Sequence, residues 1–105
     1  MYTTALHEAV MGGQVEAIKF LLDMRANDRE VDYDGNAPLH LAVIQDDIEC
    51  MMPLLKSSGA AKVLTTKNRK GRTPYDLAKA TSTRLCVERG MKALHMVVKK
   101  RERLV

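Results

Sequence analysis

The chain has no tryptophan, one phenylalanine and three tyrosines in 105 residues. A surface that stacks unpaired bases needs aromatic rings, so this scarcity argues against recognition of single-stranded nucleic acid. Cysteine is nearly as rare: Cys50 and Cys86 stand apart, in no C-x-x-C pair, and no histidines sit at close helical spacing. A metal-ligand pattern is therefore missing, and the two cysteines read as free thiols of a reducing, intracellular compartment, cytoplasmic or nuclear. Six glycines form no phosphate cradle, since Gly12-Gly13 lacks a downstream Lys-Ser/Thr. No apolar run approaches the roughly 18 residues that a membrane helix needs, and polar residues from Tyr2 to Glu8 interrupt any leader-like start. No motif supports nucleophilic catalysis by either thiol. On these grounds no catalytic, cofactor-binding or metal residue is assigned, and no small-molecule substrate is expected.

Charge is present in quantity but unevenly. Residues 1–55 carry three Lys/Arg against ten Asp/Glu, a balance of −7, and residues 56–105 carry fourteen against three, a balance of +11. Such a polarity bears on partner sign and association rather than on the fold.

The strongest pattern is internal. Thr4-Ala5-Leu6-His7-Glu8-Ala9-Val10 returns 33 positions later as Ala37-Pro38-Leu39-His40-Leu41-Ala42-Val43, and again more loosely as Thr73-Pro74-Tyr75-Asp76-Leu77-Ala78. Self-similarity at this period marks a repeat solenoid, whose units bury their apolar faces only by stacking. With Gly35 and Gly71 two residues upstream of their strings, the pattern resembles the ankyrin repeat over nearly the whole chain. The expected architecture is a single all-α domain over residues 1–105, an ankyrin-repeat solenoid of helix-turn-helix units with finger-like turns. Its repeats run at about 2–30, 31–66 and 67–105, the last a degenerate cap. Because Met1-Tyr2 stand where a turn glycine is expected, the first repeat reads as cut from a longer protein.

Helix spacing fills in the units. A first helix is expected over about 4–11, ended by Gly12-Gly13, and a second over about 14–24, with Val15, Ile18, Leu21 and Leu22 on one apolar face. In repeat two Pro38 starts a helix where its missing N–H costs nothing. Asp46-Asp47 act as stop and next cap, and Ile48, Met51, Leu54 and Leu55 form the second apolar face. Pro53 inside that helix removes a backbone bond and predicts a kink. The loop from 57 to 72 should be long, since Gly35 and Gly71 are 36 positions apart. In repeat three Thr83 is the expected cap of a final helix over about 84–102, with Val87, Met91, Leu94 and Val98 on its stripe and Gly90 weakening it. His95 reads as half-buried filling, and Met51 and Met52 as flexible packing beside Pro53 rather than as a binding groove.

The ankyrin resemblance also implies roles. His7 and His40 are structural, each bonding the Thr of its own motif and a carbonyl of the next repeat, with Ala37 depriving His40 of the first bond. Pro38, Thr73 and Pro74 are structural residues of the same motif, and Asp76 stands in the histidine's place in a terminal repeat, where no following repeat exists to receive it. The positions implied to face a partner are Met11 in repeat one, Tyr33, Asp34, Asn36, Ile44 and Gln45 in repeat two, and Arg69, Lys70, Arg72, Ala80 and Thr81 in repeat three. Tyr33 and Arg69 lead, because Tyr and Arg dominate interface hot spots.

The expected function is non-enzymatic binding of another protein through the concave face and fingers. The basic half, with Lys62, Lys67, Arg69, Lys70 and Arg72 in the long loop and Lys99, Lys100, Arg101 and Arg103 at the end, reads as a solvated face or as a surface for a partner with an acidic segment. The same cations leave open nucleic acid or an anionic membrane surface, a regulatory segment of a larger enzyme or channel, and weak head-to-tail self-association.

Overall fold

The computed structural model describes residues 3–96, among which lie seven α-helices and no strand. In chain order they are α1 (Ala5–Met11), α2 (Val15–Asp23), α3 (Pro38–Ile44), α4 (Ile48–Leu55), α5 (Ala60–Leu64), α6 (Pro74–Leu77) and α7 (Thr81–Ala93). The first helices of the units, α1, α3 and α6, pack in succession as one layer, and α2, α4 and α7 as a second. The core runs between the layers through Leu6, Val10, Ile18, Leu39, Val43, Met51, Leu54 and Val87, all essentially without solvent contact. Residues Val98 to Arg103 of the expected stripe and basic tail lie outside the described residues.

Local chemistry explains where each helix starts and stops. Thr4, Asp47 and Thr73 cap α1, α4 and α6 by accepting from the N–H groups of His7, Cys50 and Asp76, at 3.2 Å in each case. Four helices end on the same left-handed device. Gly13, Arg25, Asp46 and His95 have φ of 66°, 63°, 54° and 58°, and at each the next residue's N–H reaches back to the last turn, as Gln14 to Ala9 at 2.9 Å and Met96 to Met91 at 2.9 Å. These are Schellman caps, and they satisfy carbonyls that the helix itself leaves unpaired.

Several expectations need correction. The stretch after α4 is not a bare loop: Ala60, Val63 and Leu64 are buried along the extra helix α5. Pro53 lies within α4, and the helix closes two residues later at Leu55 with Lys56 as its cap. After Lys56 the chain restarts as α5, so the additional residues of this repeat include a short helix. The last helix begins at Thr81, not after Thr83. Thr83 instead lies buried inside α7 and donates its hydroxyl to Asp46 Oδ1 at 2.8 Å. That helix ends at Ala93 rather than near 102, and His95 is an exposed left-handed residue after it, not filling. Ile48 and Leu94, expected in apolar stripes, are exposed. Gly90 is more than a weak point. A Cβ there would sit 2.9 Å from Leu55 Cδ2, so its bare backbone lets α7 close on α4.

Candidate functional site

The stacked layers present two turns built to the same plan. In the first, Asp32 Oδ1 accepts from the N–H groups of Asp34 and Asn36, both at 2.9 Å, and the Asp32 N–H donates to the Asn36 carbonyl at 2.9 Å. In the second, Asn68 Oδ1 accepts from Lys70 and Arg72 at 3.0 Å, and the Asn68 N–H donates to Arg72 at 2.9 Å. Short Asp and Asn side chains favour this geometry because they satisfy the backbone two residues on. Gly35 and Gly71 occupy the left-handed position of each turn, at φ 78° and 76°. Asp32 and Asn68 were not among the expected site residues, although their matching places before Gly35 and Gly71 were legible.

The two turns are joined. The Arg69 N–H donates to the Asp34 carbonyl at 3.0 Å, and Asn68 Nδ2 donates to Asn36 Oδ1 at 2.9 Å. Arg69 Nη1 donates to the Tyr33 carbonyl at 3.2 Å while its guanidinium carbon stands 5.1 Å from the Tyr33 ring centroid. Contact is close enough that a Cβ on Gly35 would meet the Arg69 nitrogen at 2.8 Å. The row is thus held by main-chain geometry, with side chains projecting from it.

Beneath the row the histidines fasten one unit to the next. His7 Nδ1 accepts from the Thr4 hydroxyl at 2.8 Å, and its Nε2–H donates to the Asn36 carbonyl at 2.8 Å. His40 lacks the hydroxyl, as Ala37 requires. Its Nδ1 accepts instead from the Ala37 N–H at 3.0 Å, and Nε2–H donates to the Thr66 carbonyl at 3.0 Å. Both rings are fully buried. Burial pushes the His40 imidazole below its ordinary value, against the raising influence of the Thr66 bond, which suits a neutral ring with one fixed tautomer. In the third unit Asp76 takes the histidine's place, its Oδ2 accepting from the Thr73 N–H at 3.0 Å, while Pro74 is buried at the start of α6 as Pro38 is in α3.

The expected partner-facing residues divide by exposure. Met11 and Ile44, at matching places on α1 and α3, are 45% and 50% exposed, and Tyr33 is 66% exposed. Asp34, Arg69, Lys70, Arg72 and Thr81 are exposed as well, and Ala80 is half-buried. Gln45 is exposed but its amide donates to the Val10 carbonyl at 3.0 Å, tying α3 to α1. Asn36 departs from expectation. It is buried, because its carbonyl receives His7 and its side chain receives Asn68.

Two buried carboxylates escaped the sequence reading. Asp28 accepts from the Ser57 hydroxyl and, at 3.1 Å, from the Gly59 N–H, joining the end of repeat one to the break between α4 and α5. Glu88 accepts from the Tyr75 hydroxyl at 2.7 Å, joining α7 to α6. Neither has a periodic signature that could have marked it. Among the described residues no cluster of three His, Cys, Asp or Glu side chains is placed to hold a metal ion, and no helix is long and apolar enough to cross a membrane.

A family model described as ankyrin repeats (3 copies) matches residues 1–68. Among curated proteins, the chain is 31% identical over 88 residues to the nuclear factor NF-kappa-B p105 subunit of Gallus gallus, covering 84% of the chain and 9% of that protein. It is 40% identical over 75 residues to BCL-6 corepressor-like protein 1 of Homo sapiens, covering 71% and 4%. It is 39% identical over 77 residues to ankyrin repeat domain-containing protein 13C of Danio rerio, covering 73% and 14%. The chain therefore spans a small fraction of the length of these relatives.

Proposed function

Since the chain belongs to the ankyrin-repeat family, whose repeats are generally protein-interaction modules and typically non-enzymatic, we propose that it binds another protein through the joined turns and the outward side of α1 and α3. The observation that carries this reading is the turn pair locked by the Arg69–Asp34 backbone bond and carrying the exposed Tyr33, together with Met11 and Ile44, exposed at matching places on α1 and α3. Exposed apolar and aromatic side chains on a pre-ordered frame contribute affinity without the entropic cost of fixing a mobile loop. The cations Lys67, Arg69, Lys70 and Arg72, all exposed on the second turn, favour an acidic segment in the partner. The reducing compartment proposed for this module, cytoplasmic or nuclear, accords with its two free thiols.

Affinity capture with wild-type chain and with Tyr33→Ala/Arg69→Glu tests it. Proteins held by the wild type and lost from the double variant support the reading; identical captured sets refute it.

The same four cations favour one second reading, a polyanionic ligand held by charge alone. Binding to random duplex DNA or to acidic vesicles that falls steeply with added salt would support it. The absence of binding to either at about 50 mM salt would remove it.

A further inference from the structure

A second surface lies away from the turns, in the layer of second helices. Between α4 and α7 runs a groove of about 500 Å³ whose floor is Ile48, Met52, Leu55 and Leu85 and whose charged lining residues are Lys56 and Arg89. Met52 is 41% exposed, and Ile48 and Leu85 are also open to solvent. Stacking does not require an apolar residue here. The place that Met52 holds in repeat two is held in repeat one, 33 positions earlier, by Lys19, which is exposed and pairs with Glu16 at 3.5 Å. Contiguous apolar side chains on a surface where the same fold tolerates lysine mark a site that is covered in use.

The lining also says what covers it. Lys56 and Arg89 are cations, no carboxylate lines the groove, and neither cation pairs with a carboxylate among the described residues. By contrast, the larger cleft of about 930 Å³ beside α2 is lined by charge of both signs, Asp23 and Asp28 among Lys19, Arg25, Arg29 and Lys56, and offers no apolar floor of this kind. The groove follows α7 from Ser82 to Ala93, about 16 Å at the rise of an α-helix, or three turns of a guest helix. Gly90 keeps α7 tight against Leu55, and the Cys86 thiol lies 3.7 Å from Met52 Sδ across the floor. Methionine adapts its shape to an apolar guest at little cost.

We propose that the α4/α7 groove receives an amphipathic helix of a partner protein, about three turns long, with one apolar stripe and acidic residues flanking it. The apolar stripe displaces water from Ile48, Met52 and Leu85, and the acidic flanks meet Lys56 and Arg89. This docking does not rest on the turn surface and leaves it free.

The test uses the whole chain and a fluorescein-labelled 14-residue helical peptide with leucines at helical spacing flanked by glutamates. The comparators are a scrambled peptide of equal composition and one with lysine for every glutamate. Anisotropy should saturate with the acidic peptide, and the scrambled and lysine forms should bind at least about tenfold more weakly. Met52→Glu should abolish binding by setting a carboxylate on the apolar floor, and Arg89→Glu should turn the preference toward the lysine peptide. Both positions are exposed, and unchanged circular dichroism and melting confirm that the variants fold. No saturable binding, equal binding of all three peptides, or binding insensitive to Met52→Glu overturns the proposal. So does concentration-dependent self-association abolished by Met52→Glu, which would assign the groove to a second copy of the chain.

Discussion

The guanidinium of Arg69 lies 5.1 Å from the ring centroid of Tyr33, so the two side chains with the strongest claim on a partner touch each other first. Their contact spans 36 positions and joins adjacent turns, and the same arginine also bonds the Tyr33 carbonyl. In the proposed interface a partner would meet a composite of ring and cation whose orientation is already set. Because the Tyr33 side chain is largely exposed, the contact itself is expected to couple by only about 0.5–1 kcal/mol. A double-mutant cycle of Tyr33→Ala and Arg69→Ala in urea unfolding should return a coupling in that range, and a value indistinguishable from zero would mean the stacking is incidental.

The turns make a sharper prediction through their glycines. Gly35 and Gly71 share a left-handed backbone, but a Cβ on Gly35 would collide with the Arg69 nitrogen while one on Gly71 would meet nothing within 4 Å. Gly71→Ala is expected to cost about 1 kcal/mol, the conformational penalty alone. Gly35→Ala adds a backbone clash and should cost roughly 3 kcal/mol. Equal losses in chemical denaturation would contradict the joined-turn geometry.

Acid should loosen the stack at His40. Burial holds this imidazole below the ordinary 6.5, so the unfolded chain takes up the proton first as pH falls. Stability from this group is complete above about 6.5 and declines below it, with a slope of up to ~1.4 kcal/mol per pH unit until the folded-state value is passed. Urea midpoints at pH 7.5 and 5.0 for wild type and His40→Asn measure it. The variant should be less stable at pH 7.5 by about 2–4 kcal/mol, having lost the Ala37 and Thr66 bonds, and should show a shallower fall toward acid.

Asp28 should matter despite its place outside any motif. It alone satisfies the Gly59 N–H and it orients Ser57 at the point where α4 gives way to α5. Asp28→Ala is expected to destabilise by about 2 kcal/mol, and hydrogen exchange should show the loss as faster exchange in α5 rather than in α1.

The thiols should differ in reactivity. Cys50 is buried and beside Asp47, and the two push its pKa up to about 12, burial first; Cys86 is partly open. A thiol reagent at pH 8 should modify Cys86 in the native chain and Cys50 only after unfolding. Modification of both at one rate would contradict the placement of Cys50.

The repeated string around His7 and His40 made the first helices, their caps and the bridges between units legible, because each depends on residues a few positions apart or one repeat apart. Asp46 as a stop was legible for the same reason. What was hidden depends on residues acting against their usual habit. His95 ends α7 in a left-handed conformation that the sequence assigns to glycine, so the apolar spacing runs on past the true end of the helix. Helix α5 was hidden inside the longer interval because the fragment Ala60–Leu64 is too short to carry a periodic signal of its own. Asn36 looked exposed because its turn is exposed; its carbonyl is consumed by a histidine 29 residues earlier. The tie between Thr83 and Asp46, and the apolar groove beside Gly90, arise only once α7 is laid on α4.

Site-specific photo-crosslinking tests the central claim most directly. A photoreactive phenylalanine analogue is placed at position 33, at 44, or at 16 on the exposed side of α2, and each chain is irradiated in cell lysate. The account predicts one shared adduct from positions 33 and 44 and none of that mass from 16. The same adduct from position 16, with nothing from 33 or 44, would contradict it.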